Sequence, residues 1–209
     1  LRRKRSRGMK IVIVMISSIF IVMGCASTPE KASDKCISGD CQNGKGIFVS
    51  ASGSRYEGSF KEGYPHGMGK LISVKGSVYE GEFSEGTFHG KGVYTQKSGT
   101  VYKGDFKGGK YNGMGTVTYP DGTTYTGEWF DDKPHGKGKL KSSNGDSYEG
   151  EFKNGQFDGY GVLVEAGGDR YVGQWKNHKK DGRGRYTFAD GEVWDGEFQQ
   201  DKFIGKKKR

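Results

Sequence analysis

The chain is poor in proline, with four residues in 209, and poor in apolar side chains, which make up 32% of it. So little proline excludes a collagen-like or proline-rich architecture. A mean hydropathy of −0.80 would by itself point to disorder. Two features oppose that reading: aromatic residues reach 13%, and the 38 glycines are regularly spaced instead of gathered in low-complexity runs. No nucleophile elbow, phosphate-binding loop or zinc signature is present. A basic stripe is missing too. The net charge is +9, but six of the positive charges lie in residues 1–24 and four in residues 206–209, which leaves −1 for residues 25–205. A nucleic-acid binder carries positive charge along its folded face, so no nucleic-acid partner is expected.

One long apolar run exists, the 12 residues from Ile11 to Val22, interrupted only by Ser17 and Ser18. It falls short of the roughly 20 residues a membrane-spanning helix needs. Basic residues precede it and small residues follow it, the layout of a secretory signal peptide over residues 1–24, with Met9-Lys10 opening a signal of normal length. An uncleaved anchor helix is the alternative. Val22-Met23-Gly24-Cys25 resembles a bacterial lipobox, with Met23 where a small residue is usual. That resemblance implies a diacylglyceryl thioether on Cys25, which becomes the acylated N-terminus and ties the protein to a membrane, each buried methylene adding roughly 0.8 kcal/mol. Ala26 follows the cysteine where Asp is absent, a pattern similar to lipoproteins sent on to the outer membrane of two-membrane bacteria. Residues 25–42 are then a tether. Cys36 and Cys41, exported to a compartment where disulfides persist, are read as a bridge closing a small loop around Ser38-Gly39-Asp40. A metal site is the other reading, weakened by the lack of a nearby His.

The rest of the chain repeats. Tyr56, Tyr79, Tyr102, Tyr125, Tyr148, Tyr171 and Trp194 stand 23 residues apart without a slip. Two residues after each comes a glycine (Gly58, Gly81, Gly104 and so on), and four after each a second ring: Phe60, Phe83, Phe106, Trp129, Phe152, Trp175 and Phe198. Further glycines recur 11, 13 and 20 residues after the first ring. A fixed period of this kind marks a repeat architecture. In Tyr79-Glu80-Gly81-Glu82-Phe83 the side chains alternate, with rings and glycine on one face and carboxylates on the other. A second strand is expected near His89 to Gln96, with a turn at Glu85-Gly86-Thr87-Phe88 inside the unit and turns such as Pro120-Asp121-Gly122-Thr123 and Ser143-Asn144-Gly145-Asp146 between units. Glycine inside a strand marks a close approach, so rings are expected to lie over neighbouring glycines. Two strands per unit advance a sheet by about 10 Å, and seven units by roughly 65–70 Å.

The pattern from Tyr79-Glu80-Gly81-Glu82-Phe83 through His89-Gly90-Lys91-Gly92 resembles the MORN repeat (membrane occupation and recognition nexus). The resemblance covers residues 43–205 and implies an all-β fold: an elongated single-layer antiparallel meander of about seven 23-residue β-hairpin repeats, opened by a half-repeat at Asn43-Gly44-Lys45-Gly46 and closed by a degenerate last unit. Asp132, His178 and Asp201 replace a glycine of the pattern, and Asn112, Asp158, Asp181 and Ile204 replace its His. The resemblance also implies association with membranes and phospholipid head groups.

The candidate chemistry reads as scaffolding. His66, His89 and His135 share one position in units about 10 Å apart, too far for one metal ion, and Asn or Asp fills the same place elsewhere, which suits a turn hydrogen bond. The carboxylates Glu80/Glu82, Asp105, Glu128, Glu149/Glu151 and Asp195/Glu197 recur with the period, whereas a glycosidase gathers two in one cleft. Lys107-Gly108-Gly109-Lys110 is a turn in register, not a phosphate cradle. No cofactor, metal or catalytic residue is expected, and only the basic tail 206–209 follows the array. The expected function is a non-catalytic scaffold that binds a protein at the cell envelope, with direct phospholipid or polysaccharide contact as the alternative and an envelope hydrolase the least favoured. Tyr79, Phe83, Tyr102, Phe106, Tyr125 and Trp129 are the candidate binding face. The competing reading, favoured on chemistry, makes these rings the packing of the repeat itself.

Overall fold

The computed structural model describes residues 33–205. The proposed signal peptide 1–24, Cys25 and the tail 206–209 lie outside the described residues. Sixteen strands pair antiparallel in strict chain order to form one open sheet. β1 (Lys35–Gly39) and β2 (Lys45–Val49) open it. Six hairpins follow: β3 (Arg55–Lys61) with β4 (Tyr64–Ile72), β5 (Val78–Ser84) with β6 (Thr87–Thr95), β7 (Val101–Lys107) with β8 (Lys110–Thr118), β9 (Thr124–Phe130) with β10 (Lys133–Lys141), β11 (Ser147–Lys153) with β12 (Gln156–Val164), and β13 (Arg170–Lys176) with β14 (Lys179–Thr187). β15 (Val193–Gln199) and β16 (Lys202–Phe203) close it. The sheet thus begins ahead of residue 43, because Lys35–Gly39, within the stretch read as a tether, pairs with β2. Cys36 and Cys41 form a disulfide beside this first turn.

Two kinds of turn produce the meander. Inside each unit a two-residue loop takes left-handed backbone at both positions, as at Glu85 (φ 49°) and Gly86 (φ 75°). That is the type I′ geometry whose twist matches the flanking strands. The turn is tighter than the four residues expected: Thr87 and Phe88 already belong to β6. Between units the chain makes a five-residue connection, as at Ser73–Ser77, where Gly76 N–H donates to the Ser73 carbonyl at 2.8 Å and Ser73 N–H to Ser77 at 2.8 Å.

The interior is a ladder of rings. Each first-position tyrosine, from Tyr56 to Tyr171, meets the second ring of its own unit and that of the next. From Phe60 through Tyr56, Phe83, Tyr79 and Phe106 onward to Tyr171 and Phe198, the contacts run unbroken at 4.9–5.4 Å with interplanar angles of 79–89°. Edge-to-face pairing is the arrangement the ring quadrupole favours. A single sheet can bury these rings because the glycines pair with one another across it: Gly58 with Gly69, Gly69 with Gly81, Gly81 with Gly92, Gly92 with Gly104, and on to Gly184 with Gly196. The rings lie along this bare row. A Cβ at Gly69 would stand 2.3 Å from Tyr56 Oη, and one at Gly138 2.5 Å from Tyr125 Oη.

Candidate interaction surface

The six rings put forward as a binding face are interior. Tyr79, Phe83, Tyr102, Phe106, Tyr125 and Trp129 are each at most 5% exposed. No partner can reach them without unfolding the sheet, so they pack the array and offer no surface. The tyrosine hydroxyls do local work. Tyr56, Tyr79, Tyr102, Tyr125, Tyr148 and Tyr171 each donate to the carbonyl three residues on, at 2.8–3.0 Å. That carbonyl sits where the ladder is interrupted: after Gly104↔Gly115 the next pair is Phe106↔Tyr111, so extra residues of β8 bulge out opposite Asp105. Burial pushes all six phenols well above their ordinary value, which keeps them neutral donors.

The recurring carboxylates close the other side of the same bulge. Glu82 Oε1 accepts from Lys91 N–H at 2.9 Å, Asp105 Oδ2 from Met114 N–H at 3.0 Å and Glu128 Oε1 from Lys137 N–H at 2.9 Å, and Gln174 Oε1 substitutes for a carboxylate toward Arg183 N–H at 2.9 Å. The sequence placed the periodic carboxylates on the strand face away from the rings; Glu82, Asp105 and Glu128 are bulge caps there, while Glu80, Glu149 and Asp195 pair with Lys70, Lys139 and Arg185. The glycine 11 residues after the first ring makes room for them. At Gly90 the backbone has φ +52°, and a Cβ there would lie 2.5 Å from the Glu82 carboxyl.

At three of the non-histidine members of the position shared by the histidines, the side chain serves the junction between units, whereas His135 Nδ1 is buried without a hydrogen-bond partner. Asn43 Oδ1 accepts from Glu62 N–H at 3.0 Å, Asp158 Oδ2 from Asn177 N–H at 3.4 Å and Asp181 Oδ2 from Gln200 N–H at 3.3 Å. This is the turn hydrogen bond expected there. Among the described residues no group of three or more His, Cys, Asp or Glu could hold a metal ion, and no helix is long and apolar enough to cross a membrane.

Sequence reading missed a third core position, one residue before the histidine. Phe88, Tyr111 and Phe157 stack flat on the first tyrosine of their units at 3.8, 3.5 and 3.6 Å. Pro65 and Pro134, both buried, occupy it elsewhere. The residue here determines what the next turn needs. Tyr111, Phe157 and Lys180 have a backbone N–H, and it is accepted by Asp132 Oδ1 (2.8 Å), His178 Nδ1 (3.2 Å) and Asp201 Oδ1 (2.8 Å). Proline has no N–H, and after Pro65 and Pro134 the turn residue is the plain glycine, Gly86 or Gly155. The three departures from the glycine pattern are therefore acceptors held in left-handed backbone (φ 66°, 66° and 69°), a conformation that Asp, Asn and His tolerate better than most residues. Phe88, followed by Gly109, is the exception. Burial lowers the His178 imidazole, and its neutral Nδ1 is the form that can accept. Lys180 is the odd member of the stack: 6% exposed, with Nζ 5.6 Å from the Tyr171 ring and 4.9 Å from that of Tyr186. Burial pulls its ammonium down, opposed by Asp201, Glu165 and Asp169.

What remains for a partner is the face opposite the rings. One row there reads Met68, Lys91, Met114, Lys137, Tyr160, Arg183, one residue per unit and all exposed. Apolar and basic residues alternate along it, with Met68, Met114 and Tyr160 exposed by 62%, 54% and 56%. Their cross-strand neighbours are the capping residues, such as Glu82 opposite Met68 and Glu128 opposite Met114. Lys91 also forms an ion pair with Asp105.

The family model described as MORN repeat matches residues 42–55, 56–78, 79–101, 102–124, 125–147, 148–170 and 171–193. No curated protein matches the chain in sequence. Several solved structures are similar to it, among them the following two. The TCP domain of Drosophila melanogaster SAS-4 (dCPAP), in complex with a proline-rich motif of Ana2, is 12% identical with a TM-score of 0.48, covering 85% of this chain and 99% of that one. The wild-type TCP10 domain of Danio rerio CPAP is 16% identical with a TM-score of 0.42, covering 72% and 71%.

Proposed function

Because this chain belongs to the MORN-repeat family, we propose that it is a non-catalytic scaffold that holds a protein partner at a bacterial cell envelope, anchored there through acyl chains on Cys25. One observation carries the scaffold reading. The recurring tyrosines, carboxylates and turn acceptors are committed to packing, bulges or junctions between units, so the chemistry that repeats is structural. The variable, exposed row from Met68 to Arg183 is left to meet an extended partner, as the long faces of repeat proteins do. Methionine supplies adaptable apolar contact, and Lys91, Lys137 and Arg183 supply direction toward an acidic partner. The anchor rests on the lipobox-like Gly24-Cys25 and on the run Ile11 to Val22, and outer-membrane placement rests on Ala26.

A photo-reactive residue placed at Met114, on the exposed row, or at Val74, an exposed residue of an inter-unit turn, tests this in intact cells. The expected result is one discrete envelope protein cross-linked from position 114 and not from 74. Cys25→Ser is expected to abolish acyl labelling and release the protein into the soluble fraction. Equal capture from both positions, or membrane retention of the unlabelled Cys25→Ser variant, refutes the corresponding half of the proposal.

A further inference from the structure

Between the unit that starts at Tyr148 and the one that starts at Tyr171, the surface sinks into an open groove of about 670 Å³, within the size range of small-ligand sites. The 23-residue period duplicates its lining: Lys153 and Lys176, Asn154 and Asn177, Asp158 and Asp181. Two ammonium groups are matched by two carboxylates, so the groove carries no net charge. Gln156 and Gln174 add two more amides. Over this polar set stands Tyr160, the one flat ring in a row whose other members are Met68, Lys91, Met114, Lys137 and Arg183.

We propose that this groove binds a neutral oligosaccharide, with the C–H face of one pyranose stacked on Tyr160 and its hydroxyls bonded by Asn154, Gln156 and Asp158. A sugar hydroxyl donates and accepts at once. It is best met by a mixture of amides, which do both, carboxylates, which only accept, and ammonium groups, which only donate; the lining holds all three. Of the two carboxylates, Asp181 Oδ2 already accepts from Gln200 N–H at 3.3 Å and Gln200 Nε2 at 2.9 Å, whereas Asp158 has capacity to spare, its Oδ2 receiving only the long contact from Asn177 N–H at 3.4 Å. Tyr160 is free to stack, being exposed and outside the ring ladder. Other ligand classes fit worse. A phosphate or sulfated chain would face Asp158 and Asp181 with no net positive charge to offset them. A peptide would lack the apolar pocket that anchors a side chain.

The test titrates the full chain with cellotetraose, chitotetraose and maltotetraose, and with inorganic phosphate as the anionic control, followed by calorimetry and by NMR shifts of the groove residues. At least one neutral tetrasaccharide is expected to bind saturably, with shifts centred on Tyr160 and Asn154. Tyr160→Ala is expected to weaken binding about tenfold, Tyr160→Phe to stay within about twofold, and Met114→Ala to change nothing. Because Tyr160 is exposed, its variants should share the parent's urea midpoint, which separates lost binding from lost structure. No binding of any of the three sugars at millimolar concentration overturns the proposal. So does binding that survives Tyr160→Ala, or phosphate that displaces the sugar.

Discussion

Gly115→Ala isolates the idea that bare backbone under the rings holds this sheet together. Gly115 is not in left-handed backbone, so alanine costs nothing in φ and only a methyl group is added. That methyl would lie 2.2 Å from Tyr102 Oη and 2.5 Å from Cζ. Tyr102 is fully buried and cannot retreat without loss. Leaving its place breaks the hydrogen bond to the Asp105 carbonyl at 3.0 Å, a loss of about 1 kcal/mol. It also breaks the stack on Tyr111 at 3.5 Å and the edge contacts with Phe106 and Trp129 at 5.1 and 5.3 Å, together about 2–3 kcal/mol. Moving the backbone instead is an overpacking cost of similar size. A destabilisation of about 3–5 kcal/mol is expected, read from the urea midpoint at unchanged slope. Gly122→Ala is the control. It lies in a turn at φ +86° with nothing within 4 Å of an added Cβ, so only backbone strain is charged, about 1 kcal/mol. In a Tyr102→Ala background the Gly115 substitution should add little, which makes the pair strongly coupled in a double-mutant cycle. If Gly115→Ala costs no more than Gly122→Ala, or is additive with Tyr102→Ala, the space-filling account is wrong.

His178 should make the array sensitive to mild acid. Its folded pKa is depressed below the ordinary 6.5, so its stabilisation is present above that value and is lost as pH falls toward the folded pKa. The urea midpoint should drop between pH 7 and 5.5, and His178→Asn, which keeps an acceptor at this left-handed position, should remove most of that drop; an unchanged pH slope refutes the role. Lys180→Phe installs the residue that Phe88 and Phe157 already show at this site. Removing a desolvated ammonium there should stabilise by about 1–2 kcal/mol in thermal or urea unfolding, and destabilisation would mean that the contacts of Nζ with Tyr171 and Tyr186 outweigh its burial.

The period, the strand alternation and the placing of rings over glycines were all legible in the sequence, because each depends on a residue type that has no substitute. Only glycine leaves room beneath Tyr102, so Gly104 and Gly115 recur in their registers in every unit that starts with tyrosine; the last unit, which starts at Trp194, has Lys207 in the second of them. The stacking position was not legible, because Pro65, Phe88, Tyr111, Pro134, Phe157 and Lys180 fill the same buried place with four residue types, and the mixture hides the period. The bulge caps were missed for the opposite reason: Glu82, Asp105 and Glu128 are regular, but an outward carboxylate on a strand looks the same whether it meets water or a backbone N–H. β1 was missed since Lys35–Gly39 carries no ring and its one glycine, Gly39, stands at the strand's end in left-handed backbone instead of in the repeat's register.

The same division bears on where function can be written in such a chain. A position repeated in every unit must satisfy every junction, so it is free to encode only what all junctions share. The turn acceptors make the point: Asp132, His178 and Asp201 look like exceptions that could carry chemistry, yet each answers a backbone N–H that proline removes in other units. Departures of that kind are compensations inside the fold. A departure with no compensating partner is different. Tyr160 fills no gap, stacks on no ring of the ladder and answers no orphaned group, while the side chains around it repeat as a matched pair. Irregularity that the fold does not require is the part of a periodic sequence left to specify a ligand, and in the described residues it concentrates on the face away from the rings.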